Sequence, residues 1–294
     1  MPIVVNSNAS ATSASYNLSK ANNSLRNSLA RLSSGNKINS PADDAGGLAV
    51  AYKINSKLNR TEAVIQNSQN ALSYLQVQDA GLQTVGKVLD RMAELRTMAQ
   101  DITKNSGDIE NYSKEFVELQ SQLQQVKQEK FNGISLFSQE QTAVATGSLT
   151  ETSVTVDGST YDKFGRTLIT HSDGEAASGS ISLNVVNLQF VLSVGTLAVN
   201  TAGTSKDLAG FDNGTAGSNG INASGFISDI LDVNVSQFTQ AIERLADMRA
   251  ENGAEQNRVL NSIDLLQSNM TNLEAAHGRI MDTDIALEST RFAR

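Results

Sequence analysis

A repeat of small and apolar residues constrains this chain more than any other feature of its sequence. Between Ala51 and Leu89 such residues recur mostly at alternating intervals of three and four, and the repeat continues less regularly to Ile102. This spacing is typical of a helix that packs along one face in a coiled coil. Both prolines of the chain lie outside the repeat. We therefore predict one helix over residues 43–104, about 90 Å long at about 1.5 Å per residue, in a rod-shaped bundle.

The same spacing predicts helices near both ends of the chain. It occurs over residues 11–32 and over residues 259–280, and we expect helix from about Asp232 to the end. A third helix, with Phe116 on its apolar side, should follow residues 105–107, which we expect to end the long helix. Because both ends of the chain are helical and share one repeat, the N- and C-terminal segments should pack on each other antiparallel.

The middle of the chain differs in composition from both ends. Residues 139–225 are rich in Ser, Thr, Gly and Val, with short stretches in which polar and apolar residues alternate. This pattern predicts strands at residues 154–156, 181–186 and 190–194, and a loop at residues 214–225. The predicted fold class is mainly α, a long antiparallel coiled-coil helical rod formed by the N- and C-terminal segments, with a smaller β-rich insertion in the middle.

Residues 32–49, with the sequence LSSGNKINSPADDAGGLA, separate the first two predicted helices. Ser40 is a suitable N-cap for the second helix, and Pro41 suits its first helical position. Asp43 and Asp44 follow, near the positive end of the helix dipole, where acidic residues are favourable. Gly46 and Gly47 should each cost about 1 kcal/mol relative to alanine within a helix. This cost suggests that a close contact requires a bare backbone there.

Composition and motifs give no indication of catalysis or of a bound cofactor. The net charge of −8 disfavours nucleic acid and anionic membrane as partners. The chain has no cysteine, and its two histidines, His171 and His277, form no metal-binding or catalytic motif. We therefore expect no enzyme, no cofactor and no metal. The N-terminus lacks the features of a signal peptide, so we expect that any export uses another route.

Several stretches of the chain resemble the sequence signatures of bacterial flagellins. They are residues 32–49 for the N-terminal signature, residues 131–133 for the turn after the third helix, and residues 257–260 and 279–284 for the C-terminal signature, which includes Arg279, Asp282 and Asp284. The resemblance implies a structural subunit of the flagellar filament, which polymerises by helix–helix packing to form the motility propeller. It also implies a secreted protein of the extracellular flagellum, with the export apparatus and an export chaperone as partners besides the homopolymer.

The resemblance divides the expected rod into three parts. Residues 1–42 with 281–294 would form inner-tube terminal helices, residues 43–139 with 226–280 the helical rod core, and residues 140–225 a variable β-rich outer region. Flagellins usually continue past the position of Arg294 into another amphipathic helix. We therefore expect the chain as given to be mainly monomeric in dilute solution.

The resemblance also suggests a contact patch on the long helix. Arg91, Glu94 and Leu95 match residues that many flagellins present to Toll-like receptor 5, and we expect them to form an exposed patch for subunit packing or for this receptor. On the third helix, Ser121 or Gln122 replaces the usual glutamate. Two alternatives remain open: a hook–filament junction protein of the same superfamily, and a coiled-coil surface adhesin.

Overall fold

A computed structural model describes residues 8–137, 149–156, 159–195, 205–208, 226–227 and 229–293. Its helices are α1 (Ala9–Ser34), α2 (Ala45–Ala99), α3 (Ser106–Lys127), α4 (Leu188–Leu192), α5 (Val235–Met281) and α6 (Ile285–Ala293). Long helices therefore lie toward both ends of the sequence, and a small strand-containing region lies between them. This arrangement confirms the predicted mainly α fold class.

Helix α1 begins and ends at residues whose side chains or backbone suit a helix terminus. The Asn8 side chain accepts hydrogen bonds from the backbone N–H groups of Ser10 and Ala11. At the other end, Gly35 adopts a φ of 72° and donates its N–H to the Arg31 carbonyl. The helix predicted for residues 11–32 is thus confirmed, with two more residues at each end.

The predicted start of α2 is wrong by several residues. Ser40 is not the N-cap and Pro41 is not the first helical residue, because both precede a helix that begins at Ala45. The Asp43 carboxylate instead accepts the backbone N–H groups of Asn39 and Ser40, both at 3.1 Å, which closes a turn ahead of the helix. Asp44 then takes the capping position, since its Oδ1 accepts the Gly47 N–H at 2.9 Å.

The ends of α2 and α5 also differ from the prediction. Helix α2 stops at Ala99, and residues 105–107 do not end it. Asn105 is instead the N-cap of α3, in a reciprocal capping arrangement with Asp108. The C-terminal helix does not run unbroken to the end, because α5 stops at Met281 and a separate α6 starts at Ile285.

The strands of the described residues form three small antiparallel sheets. They are β1 (Lys130–Phe131) with β2 (Ile134–Ser135), then β3 (Leu149–Val156), β4 (Ser159–Ile169) and β5 (Ser180–Val185) in that spatial order, and β6 (Ser193–Gly195) with β7 (Ser205–Asp207). Asn132 and Gly133 have φ values of 51° and 78°, so they connect β1 and β2 by the type of two-residue turn that Asn-Gly favours.

Two of the predicted strands in this region are confirmed and one is wrong. Strands β3 and β5 include residues 154–156 and 181–185. The strand predicted at residues 190–194 is mostly helix α4, because the Asn187 side chain accepts the Phe190 N–H and starts a helical turn. Its short apolar run fits a buried helix as well as a buried strand. The loop predicted at residues 214–225 lies outside the described residues.

The chain divides into two compact units. The first comprises residues 1–63 and 265–294, and the second comprises residues 64–264. In the second unit α2 runs antiparallel to α5, since Gln78 bonds Asn252 while Gly86, later in α2, faces the earlier Leu245. The core of this unit contains large buried side chains such as Leu82, Leu89, Met92, Phe116, Leu123 and Phe238. The three-part division expected from the resemblance stays a prediction.

Candidate functional site

In the first unit, the loop after α1 pairs with the loop after α5. The Lys37 N–H donates to the Met281 carbonyl at 2.6 Å, and the Thr283 N–H donates to the Gly35 carbonyl at 2.9 Å. Asn36 and Asp282 face each other in the resulting antiparallel bridge. We call this pairing of residues 35–37 with residues 281–283 the loop bridge. It brings the N-terminal and C-terminal signature stretches of the sequence together.

The residues of the C-terminal signature have different roles in this arrangement. Arg279 lies exposed in the last turn of α5, where the helix dipole favours a positive charge. Asp282 lies in the loop bridge. Asp284 is the N-cap of α6, because its Oδ1 accepts the N–H groups of Ala286 and Leu287 at 3.0 and 3.1 Å.

Helix α6 packs against α1 through a buried polar contact that the sequence analysis missed. The Ser28 hydroxyl donates to the Glu288 carboxylate at 2.7 Å, and both residues are buried. This hydrogen bond lowers the pKa of Glu288, and Arg31 and Arg291 lower it further. Neither residue belongs to a motif, and the two are 260 positions apart in the sequence, so no local signal could have indicated the contact.

Of the two junction glycines, only Gly47 has neighbours so close that an added Cβ atom would force one of them to move. A Cβ atom at Gly47 would lie 2.5 Å from Oδ2 of Asp44 and 3.0 Å from Cδ1 of Ile38. A Cβ atom at Gly46 would lie 3.5 Å from Asp44, which is ordinary van der Waals contact. The expectation of a close contact is therefore correct for one glycine and wrong for the other.

The helices of the first unit leave many large apolar side chains in solvent. Ser28 is the one buried residue that the structure describes in α1, whereas Tyr16 is 70% exposed and Leu18 is 66% exposed. The other exposed apolar residues of α1, α2 and α6 in this unit are Leu25, Leu29, Val50, Tyr52, Ile285, Leu287 and Phe292. A helix with this composition gains little by packing inside its own unit, so its apolar surface is available to another molecule.

The suspected contact patch on α2 is only partly exposed. Arg91 forms ion pairs at 2.7 Å with Glu94 on its own helix and with Glu115 on α3, and these hydrogen bonds raise its pKa. Arg91 and Glu94 lie at the surface, but Leu95 is 0% exposed. The expectation that Leu95 is exposed is therefore wrong, because its side chain belongs to the core beneath the two charged residues.

Nothing in the described residues indicates a site for catalysis. Nδ1 of His171 and Oδ2 of Asp173 lie 3.2 Å apart on the surface, as in an ordinary exposed pair. Among the residues that the structure describes, no cluster of three His, Cys, Asp or Glu could hold a metal ion. No helix among those same residues has the length and hydropathy needed to cross a membrane.

Comparison with known proteins gives matches along the chain. The bacterial flagellin N-terminal helical region matches residues 5–142, and the bacterial flagellin C-terminal helical region matches residues 235–294. Flagellin A of Vibrio anguillarum is 25% identical over 360 aligned residues, which cover 100% of this chain and 93% of that protein. Flagellin of Bacillus subtilis is 27% identical over 298 aligned residues, which cover 99% of this chain and 90% of that protein.

A solved structure shares the fold. It is described as a putative flagellar hook-associated protein from Vibrio parahaemolyticus, with 14% identity and a TM-score of 0.56. The similarity covers 82% of this chain and 100% of that chain. At this level of identity the likeness concerns the fold alone. The sequence relatives are flagellins and do not favour the two alternatives, a junction protein and an adhesin.

Proposed function

Because the chain belongs to the bacterial flagellin family and is a structural subunit of the flagellar filament, we propose that it polymerises through the apolar residues exposed on α1, α2 and α6. This proposal rests on the exposure of Tyr16, Leu18 and the other apolar side chains named above, on helices that bury little apolar surface within their own unit. Full burial of one such side chain against a neighbouring subunit would contribute about 1.5–3 kcal/mol. Several of these contacts in each subunit would make the polymer stable.

Replacement of two exposed leucines of α1 tests this proposal. The double variant Leu18→Gln with Leu25→Gln should raise the critical concentration for polymerisation about tenfold or more for each leucine, because each loses its burial in the polymer. The matched control replaces two exposed polar residues of the same helix, Ser19→Gln with Asn23→Gln. Light scattering and negative-stain microscopy would measure the polymer. Equal critical concentrations for the two double variants would contradict the proposal.

We also propose that Arg91 and Glu94 contribute a charged contact surface, used in subunit packing and recognised by Toll-like receptor 5. Their exposure, and the ion pairs that Arg91 forms with Glu94 and with Glu115, support a fixed surface geometry. The variant Arg91→Glu should reduce both filament yield and receptor signalling. Lys87→Glu, the same charge reversal at an exposed position of α2, is the control, and equal results for the two variants would contradict a specific role for Arg91.

Family membership supports three further proposals, about export, chaperone binding and catalytic activity. We propose that the flagellar export apparatus secretes it, that an export chaperone binds it beforehand, and that it has no catalytic activity. Its absence from the culture medium of cells with an intact export apparatus would contradict the first of these proposals.

A further inference from the structure

Residues 226–233 lead the chain from the middle region back to α5, and we call them the return segment. Apart from residue 228, all of them are described, and in that part only Ile230–Asp232 forms regular structure, a single 3₁₀ turn. The described backbone therefore has few hydrogen-bond partners of its own. Because the segment is partly buried, its N–H and C=O groups need partners from other elements.

Three buried polar side chains of α2 and α3 supply these partners. The Gln120 amide donates to the Ile227 carbonyl at 2.8 Å and accepts the Ile227 N–H at 2.9 Å. Ser113 accepts the Ile230 N–H at 3.3 Å, and the Arg96 guanidinium donates to the Val233 carbonyl. Gln120 is 0% exposed, and the other two side chains are also buried.

The hydrogen-bonded residues recur at every third position of the return segment. Ile227, Ile230 and Val233 are also its buried apolar residues, whereas Asp229 and Leu231 between them are exposed. Each buried position is therefore held twice, by the packing of its side chain and by a hydrogen bond to its backbone.

The spacing of the partners on α3 matches the spacing on the return segment. Ser113 and Gln120 lie two helical turns apart, which is about 10 Å along the helix axis. Ile227 and Ile230 are three positions apart in the sequence, and three residues of chain can span up to about 10 Å. The order is reversed, so the segment runs antiparallel to α3. A shift of one residue would place exposed positions against the core and would break both hydrogen bonds of Gln120.

We propose that Gln120 is the positioning residue that sets the register of the return segment, and thereby the position at which α5 begins. An amide is suited to this role because it pairs with both the N–H and the C=O of one residue. Neither an apolar side chain nor a carboxylate can do so. The role belongs to the single subunit and is independent of the surfaces through which subunits polymerise.

Hydrogen exchange of the soluble subunit tests this role with two variants at Gln120. Gln120→Glu and Gln120→Met should each speed amide exchange in residues 226–233 about tenfold or more, because buried backbone groups lose their partners. Amide exchange in the C-terminal part of α5, far from the return segment, should stay as in the unaltered protein. The control is Gln125→Glu, the same change at an exposed position of α3, which should leave the segment unchanged.

Two further measurements distinguish positioning from simple packing. A protonated carboxyl group at position 120 can both donate and accept, so Gln120→Glu should approach the exchange rates of the unaltered protein when both are compared at acidic pH, whereas Gln120→Met should not. The milder Ser113→Ala should speed exchange at Ile230 more than at Ile227. Equal exchange in the Gln120 and Gln125 variants, or a uniform increase over α2, α3 and α5, would overturn the proposal.

Discussion

At the scale of single residues, Gly47 has the most restrictive environment of the junction. We predict that Gly47→Ala destabilises the first unit by about 1–3 kcal/mol, because the new Cβ displaces the Asp44 carboxylate from its capping position and crowds Ile38. Gly46→Ala is the matched comparison and should stabilise the helix by about 0.5–1 kcal/mol. Thermal unfolding followed by circular dichroism would measure both, and equal effects would contradict the assigned contact.

The contact between Ser28 and Glu288 makes the packing of α1 on α6 sensitive to acid. Since the pKa of Glu288 is lowered in the folded protein, the stabilisation is present above the ordinary glutamate value of 4.5. It is lost as the pH falls through the lower pKa of the folded state. The two helices should therefore separate more readily below about pH 4 than at neutral pH.

We predict that Ser28→Ala weakens this packing by about 1.5 kcal/mol, because Glu288 loses a charge-assisted hydrogen bond while remaining buried. The pKa of Glu288, measured by NMR titration, should rise in this variant. Ser24→Ala, at an exposed position of the same helix, should leave that pKa unchanged. An unchanged pKa in Ser28→Ala would show that the hydroxyl does not stabilise the carboxylate.

At the scale of elements, the sequence predicted the helices better than their ends. The three-four repeat predicts α1, α2 and α5 because it reflects a local period that survives in the folded chain. The start of α2 was wrong because Ser40 and Asp44 are both good N-caps. The choice between them depends on Asp43, whose carboxylate closes a turn with residues 39 and 40.

The long-range polar contacts could not be predicted from the sequence. Ser28, Gln120 and Gln78 look like ordinary polar residues on helices, and their roles depend on partners more than fifty positions away. The three-residue spacing of Ile227, Ile230 and Val233 was the available signal for the return segment. It indicates only that one side of the segment is buried, not which residues bind it.

Helix α6 exists as a separate element because of its cap. We predict that Asp284→Ala destabilises α6 by about 0.5–2 kcal/mol, since the N–H groups of Ala286 and Leu287 lose their acceptor. Faster hydrogen exchange within Ile285–Ala293 would measure this loss. Glu274→Ala, which removes a carboxylate from an exposed position of α5, should not change the exchange of α6. If both variants behave alike, the effect is one of charge and not of capping.

At the scale of the whole molecule, the negative charge opposes the apolar attraction between subunits. Each chain carries a net charge of −8, so neighbouring subunits in a polymer repel each other. The screening length falls from about 30 Å at 0.01 M salt to about 10 Å at 0.1 M. We predict that the critical concentration for polymerisation falls over this range of sodium chloride. A rise in the critical concentration would show that ion pairs between subunits contribute more than the net repulsion.

The loop bridge and the neighbouring contact of Ser28 with Glu288 also set an order of events in time. The two partners of that contact are 260 positions apart, so a ribosome adds that many residues after Ser28 before Glu288 exists. Until then Ser28 of α1 lacks the partner that it bonds in the folded subunit. Forming this contact closes a loop of that length, and until it forms α1 lacks the C-terminal contacts that hold it in the folded subunit.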